Sequence, residues 1–249
     1  MRSQFVLNAF ASLGLPLQRI SGGYRSYRRY VHAYLSQEEL PQRGIVLHGL
    51  TGVGKTDVLK RLTEMGAPVL DLEGLAQHRG SVYGKIGLPP SPSQKSFESL
   101  IFTKLKEYEK NKYFLVECES RRIGQLLVPP PVMSAIKEGN KILLYAQISD
   151  RVARIKEEYT KGADFNVEAL KFSTSLLTKR LGKNKVDELN QMLDQHQFEE
   201  VFTYLLTEYY DPLYKYPQQK DKRYDLCVEC TDVDEAAGKI YHYLEKLTQ

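Results

Sequence analysis

Gly49-Leu50-Thr51-Gly52-Val53-Gly54-Lys55-Thr56 satisfies G-x-x-x-x-G-K-[ST], and its neighbours make the match informative. Before it, Gly44-Ile45-Val46-Leu47-His48 is a short apolar run that reads as a buried strand. After it, the stretch from Gly54 to Met65 places Val58, Leu62 and Met65 on one helical face. A strand, a glycine-rich turn and an amphipathic helix in that order form a phosphate-binding P-loop. The backbone N–H groups of residues 49–56 wrap a phosphate, Lys55 reaches the outer phosphates, and Thr56 is a candidate Mg2+ ligand. The setting predicts binding of a nucleotide or another di- or triphosphate, and it argues against a ligand-free turn.

Further strands are expected at Pro68-Val69-Leu70-Asp71-Leu72, Tyr113-Phe114-Leu115-Val116, Lys141-Ile142-Leu143-Leu144-Tyr145 and residues 224–228. Helices are expected from Ser91-Pro92 onward, over residues 150–210, and after a capping box at Thr231-Asp232-Val233-Asp234. Residues 2–20 read as a helix to Gly14 followed by a short strand. Strands that are nearly all apolar and alternate with helices describe a parallel sheet covered on both faces. The fold class is therefore α/β, a P-loop NTPase-like sheet with a helical C-terminal half. In such sheets ligands bind at the carboxyl ends of the strands.

Carboxylates at those ends are the natural partners of a P-loop, where they position metal or water. The third strand runs into Glu117-Cys118-Glu119-Ser120-Arg121-Arg122, so Glu117 or Glu119 should point into the site, unless they pair with Arg121 or Arg122 at the surface. The usual residue is aspartate, and glutamate suggests an unusual metal arrangement or another role. Asp71 and Glu73 end the second strand at the same edge, with His78, Arg79 and Ser81 beyond. Lys55, Asp71, Arg79, Glu117, Glu119 and Arg121 form the candidate catalytic set, with Thr56 and Glu117 the candidate metal ligands.

Charge adds a second feature. Lys and Arg total 35 against 31 Asp and Glu, but the excess is uneven. Ahead of residue 44, six arginines face only Glu38 and Glu39. Tyr24-Arg25-Ser26-Tyr27-Arg28-Arg29-Tyr30 interleaves cations with aromatics. It reads either as a surface pairing phosphates and stacking bases through Arg25, Arg28 and Arg29, or as a solvated linker helix with inward tyrosines. No apolar run is long enough to span a bilayer, and residues 1–17 lack signal-peptide organisation, so a cytoplasmic protein is expected. Cys227 and Cys230 have C-x-x-C spacing without a second ligand pair, and a strand would send them to opposite faces. They are expected to be structural.

Several of these segments, in order, resemble the tRNA 2-selenouridine synthase family. They are residues 22–29, the P-loop, Val69-Leu70-Asp71-Leu72-Glu73-Gly74 with His78-Arg79-Gly80-Ser81, Pro92-Ser93-Gln94, Glu117-Cys118-Glu119-Ser120-Arg121-Arg122-Ile123-Gly124, and Tyr209-Tyr210-Asp211-Pro212-Leu213-Tyr214. The resemblance implies action on the wobble 2-thiouridine of tRNA. It implies geranylation of the sulfur from geranyl diphosphate and replacement of sulfur by selenium from selenophosphate. The P-loop ligand would be ATP, GTP or geranyl diphosphate, with tRNA as the partner. Family proteins begin with a rhodanese domain whose cysteine lies in a Cys-x-x-Gly-x-Arg-Ser loop, and Met1-Arg2-Ser3 looks like the end of that loop. Residues 1–43 are then expected to be a rhodanese remnant and basic linker, and 44–249 the P-loop domain. A rhodanese subunit in trans, or a truncated enzyme able to geranylate but not to insert selenium, are the two expectations. Two other readings stand beside this one. The first is a small-molecule kinase, in which Arg151 and Arg154 close over a phosphate. The second is a non-catalytic, nucleotide-sensing tRNA-binding subunit.

Overall fold

Alternation along the apolar runs decides the layers. The structure, a computed structural model, describes residues 2–248 apart from Pro16, Glu119 and residues 162–164. Its strands are β1 (Arg43–His48), β2 (Val69–Leu70), β3 (Tyr113–Glu117), β4 (Arg122–Ile123), β5 (Leu126–Leu127), β6 (Asn140–Tyr145) and β7 (Leu226–Glu229). Five pair in parallel in the order β2-β3-β1-β6-β7. Ile45, Leu47 and Leu115 face one side, and Val46, Phe114 and Val116 the other, all at most 1 % exposed. A strand buried on both faces has no polar alternation, which is why these runs are almost wholly apolar. Each such side chain contributes about 1.5–3 kcal/mol, and an aspartate at Leu47 would bury an unpaired charge.

The helices divide between the two faces and a lobe. They are α1 (Arg2–Ser12), α2 (Gly23–Leu35), α3 (Lys55–Glu64), α4 (Leu72–Ala76), α5 (Gln94–Glu107), α6 (Pro130–Glu138), α7 (Ile148–Thr160), α8 (Val167–Ser175), α9 (Thr178–Leu181), α10 (Lys183–Asp194), α11 (Phe198–Tyr204), α12 (Asp211–Tyr214) and α13 (Val233–Thr248). Helices α3 and α13 cover the Leu47 face, and α2, α5 and α6 the Val46 face. Between β6 and β7, helices α7 to α12 build a lobe with its own core around Leu170, Leu189, Val201 and Leu205. A π-helix, Leu205–Tyr210, joins α11 to α12.

Several expectations change here. No strand forms over residues 15–20 among those described, and Leu15, Leu17 and Ile20 are exposed. The second strand stops at Leu70 because Asp71 accepts a hydrogen bond from the Gly74 N–H (2.8 Å) and caps α4. Helix α5 starts two residues after Pro92, with Ser93 as its cap. The last helix is capped one residue later than expected, by Asp232 accepting from the Glu235 N–H. The β4–β5 hairpin was not foreseen. Its turn residue Gly124 has φ +59°, and a Cβ there would lie 2.7 Å from His78 Cδ2. That contact makes the buried His78 a packing residue beneath the hairpin.

Candidate active site

Strand order places the P-loop where the sheet reverses. The chain leaves β1 with β3 on one side and β6 on the other, so the crevice at their carboxyl ends opens over residues 49–56. Gly54 there has φ +92°, and a Cβ would sit 3.2 Å from Cys230 Sγ. Leu50 and Val53 bury their side chains in the core, so these residues offer the site only backbone. Lys55 Nζ donates to the Gly49 carbonyl (3.1 Å) and the Leu50 carbonyl (3.4 Å). The Thr56 hydroxyl donates to Glu117 Oε1 at 3.0 Å, which brings together the two candidate metal ligands. Glu117 is only 3 % exposed. Burial pushes its carboxyl above the usual range, with Asp71 adding and the Lys55 charge opposing.

A cleft of about 710 Å3 opens from this cradle. Around the cradle its lining carries Lys55, Lys60 and Arg154, together with the carboxylates of Asp57, Glu157 and Glu158. Arg154 Nη2 donates to the carbonyls of Cys230 and Thr231, while its buried Nη1 has no protein partner. The other end is apolar, lined by Tyr83, Tyr159, Phe202, Leu205, Leu206 and Tyr210. These come from a loop, α7, α11 and the π-helix, so their spacing in sequence carries no single period. Burial holds the hydroxyls of Tyr83, Tyr159 and Tyr210 in the neutral form by raising their pKa.

Arg151 ties the two ends together. It is 1 % exposed, its Nε donates to the Thr51 carbonyl of the P-loop (2.8 Å), and its two terminal nitrogens grip both Asp211 oxygens (2.9 and 2.6 Å). This bidentate geometry leaves Arg151 no reach toward a ligand, which removes one of the two arginines the kinase reading relied on.

A family profile described as the tRNA 2-selenouridine synthase AAA domain matches residues 42–246. The chain belongs to the tRNA 2-selenouridine synthase family. The tRNA 2-selenouridine synthase of Hydrogenovibrio crunogenus is 35% identical over 88% of this chain and 66% of its own length. That of Shewanella sp. strain MR-7 is 31% identical with the same coverage. The chain thus spans just under two thirds of the length of these relatives. Among solved structures, a shikimate kinase from Acinetobacter baumannii in complex with shikimate aligns over 87% of this chain and 97% of its own, at 20% identity and a TM-score of 0.37. Superposition at that level adds nothing to the topology.

Of the residues singled out from the family motifs, Lys55, Thr56, Arg79 and Glu117 meet in the cleft. Arg79 is engaged there: its Nε pairs with Glu158 and its Nη1 donates to the Ile86 carbonyl (2.6 Å). Asp71 serves as the α4 cap at the margin. Arg121 is exposed where the hairpin begins and does not line the cleft, because the chain turns away after β3. Glu119 lies outside the described residues. Cys118, to which the sequence assigned no role, lines the cleft, and the Tyr216 hydroxyl donates to its sulfur at 3.2 Å. No group of three metal-ligating side chains occurs among the described residues. On α2, Arg25 and Arg29 are exposed, whereas Arg28 pairs with Glu98 (2.5 Å) and donates to Ser99 Oγ (3.0 Å). Tyr27 and Tyr34 pack edge-on against Phe102, as the linker reading expects. Arg154, expected only under the kinase reading, lines the cleft, whereas the apolar wall had no expectation attached to it beyond Tyr210 in the Tyr209-Tyr210-Asp211 motif.

Proposed function

We propose that the cleft binds geranyl diphosphate, with its diphosphate on residues 49–56 and its hydrocarbon along the aromatic wall, and transfers the geranyl group to the sulfur of a tRNA 2-thiouridine. The observation that carries this reading is the union of an anion cradle and an apolar wall in one cleft. A nucleotide has no long apolar tail to lie along that wall. In the transfer, the sulfur forms a bond to C1 of the geranyl chain, the C1–O bond breaks, and its electron pair leaves with diphosphate. The uridine N3 proton passes to solvent. Lys55 and Arg154 stabilise the charge that develops on the leaving group, a task in which preoriented cations contribute most. Thr56 and Glu117 would hold Mg2+, which supplies further neutralisation of diphosphate when bound. Arg25 and Arg29 remain available for RNA phosphates.

A chain-length comparison tests the reading. Geranyl diphosphate should bind at least about tenfold more tightly than dimethylallyl diphosphate, since five further carbons are buried. Lys55→Ala and Arg154→Ala should each weaken it about tenfold through loss of a charge-assisted contact. Mixing with 2-thiouridine tRNA should release diphosphate and yield geranylated nucleoside. Equal affinity for both prenyl diphosphates, or preference for ATP or GTP over geranyl diphosphate, would overturn the proposal.

A further inference from the structure

Helix α8 carries two unlike faces. Thr174 is fully buried, and its hydroxyl meets that of Tyr83, a cleft-lining residue, at 2.8 Å. On the outward face Phe172 is 67 % exposed and Leu176, one turn on, is 55 % exposed. Two large apolar side chains exposed one turn apart form a patch, and exposed apolar patches rimmed by polar residues mark surfaces that a partner covers.

The surrounding charge indicates what does. From Ala169 to Val186 the sequence holds five basic residues and no acidic one. Lys171 is engaged by Glu168 and Asp194, and Lys185 by Glu188. Lys179, Arg180 and Lys183 are exposed and form no ion pair among the described residues. Gly182, at φ +82°, separates α9 from α10, so Lys179, Arg180 and Lys183 flank one bend of the chain that follows Phe172 and Leu176. The first acids beyond are Asp187 and Glu188, one to two turns into α10.

We infer that this strip is a docking surface for single-stranded RNA, with Phe172 stacking on a base and Lys179, Arg180 and Lys183 pairing backbone phosphates. The inference rests on the proposed tRNA reaction. A base delivered into the cleft leaves its unpaired neighbours crossing the rim, and α8 separates cleft from strip by one helix diameter, about 10 Å. Exposed aromatics beside unpaired cations are how proteins hold single strands without reading sequence. A protein partner would be expected to bring acidic groups for three cations and would not need the isolated ring.

Equilibrium binding of a tRNA transcript with uridine at the first anticodon position, measured across about 50–200 mM salt, tests this. Replacing Lys179, Arg180 and Lys183 together by Gln should flatten the log–log salt slope by about two units. Phe172→Ala should weaken binding about tenfold, and Phe172→Tyr should retain wild-type affinity. These side chains are exposed, so thermal midpoints should not move and folding does not confound the result. Wild-type slope and affinity in both the triple variant and Phe172→Ala would overturn this inference alone. Absence of tRNA binding by the unaltered chain would overturn it together with the reaction it rests on. Loss of self-association in Phe172→Ala, with RNA affinity unchanged, would mark a contact between copies and also overturn it.

Discussion

His48 ends the central strand with neither ring nitrogen partnered in the protein, held between the edges of Tyr216 and Tyr224 at 5.7 and 5.4 Å. Burial, helped by the Lys141 and Lys55 charges, lowers its pKa from 6.5 to about 4. The folded chain therefore keeps this ring neutral through a range in which the unfolded chain protonates it. The unfolded state then binds more protons, so stability is full above pH 6.5 and falls as the pH drops toward 4. At the acid end the loss approaches about 3 kcal/mol. Urea midpoints followed across that window should decline in the wild type and decline much less in His48→Phe. Parallel slopes would mean the ring is not held neutral. Glu117 follows the opposite logic for a neighbouring purpose. Its buried carboxyl resists ionisation, and Thr56 together with the nearby Lys55 charge partly offsets that cost.

At the scale of elements, Arg151 is the joint between the P-loop and the helical lobe: it donates to the Thr51 carbonyl and is held in place by Asp211 within the lobe. Asp211→Asn leaves a guanidinium buried without its counter-charge, and breaking such a pair costs about 3–5 kcal/mol. In a chain of this size that corresponds to a fall in thermal midpoint of more than about 6 °C. Glu199→Gln, which breaks the exposed pair with Lys156, should shift it by less than about 2 °C. Equal shifts would show that the joint carries no special stability. The same joint explains what sequence could and could not disclose. Strands buried on both faces announce themselves as apolar runs, and Gly49 to Thr56 has a fixed spacing dictated by phosphate geometry. The apolar wall has no such spacing, because Tyr83, Tyr159, Phe202 and Tyr210 meet only after α7, α11 and the π-helix have packed. The hairpin at Arg122–Ile123 and Leu126–Leu127 is two residues per strand, too short for any periodicity to register, and it is what turns Arg121 away. Arg151 and Arg154 are three apart on one helix, yet one is sealed by Asp211 and the other faces the P-loop. Only the partner, 60 positions away, distinguishes them.

For the molecule as a whole, apolar burial is divided among the two faces of the sheet and the core of the lobe, and the first twenty residues add little to any of them. Phe5, Leu13 and Ile20 are 76, 72 and 58 % exposed. Deleting residues 1–20 should move the thermal midpoint by no more than about 3 °C, as expected for surface changes, and should reduce self-association at high concentration. A drop above about 6 °C would show that this segment is part of the core. No helix of the described residues is long and apolar enough to cross a membrane.

The π-helix of residues 205–210 has one residue more than an α-helix would need for the same path. Deleting one residue, for instance the exposed Thr207, would let the segment close into ordinary α-helix and leave Asp211 facing Arg151. What changes is the wide turn itself: Leu205, Leu206 and Tyr210 reach the cleft from it, and a tighter turn would re-aim them. The extra residue therefore shapes the wall of the cleft and leaves the rest of the lobe as it is.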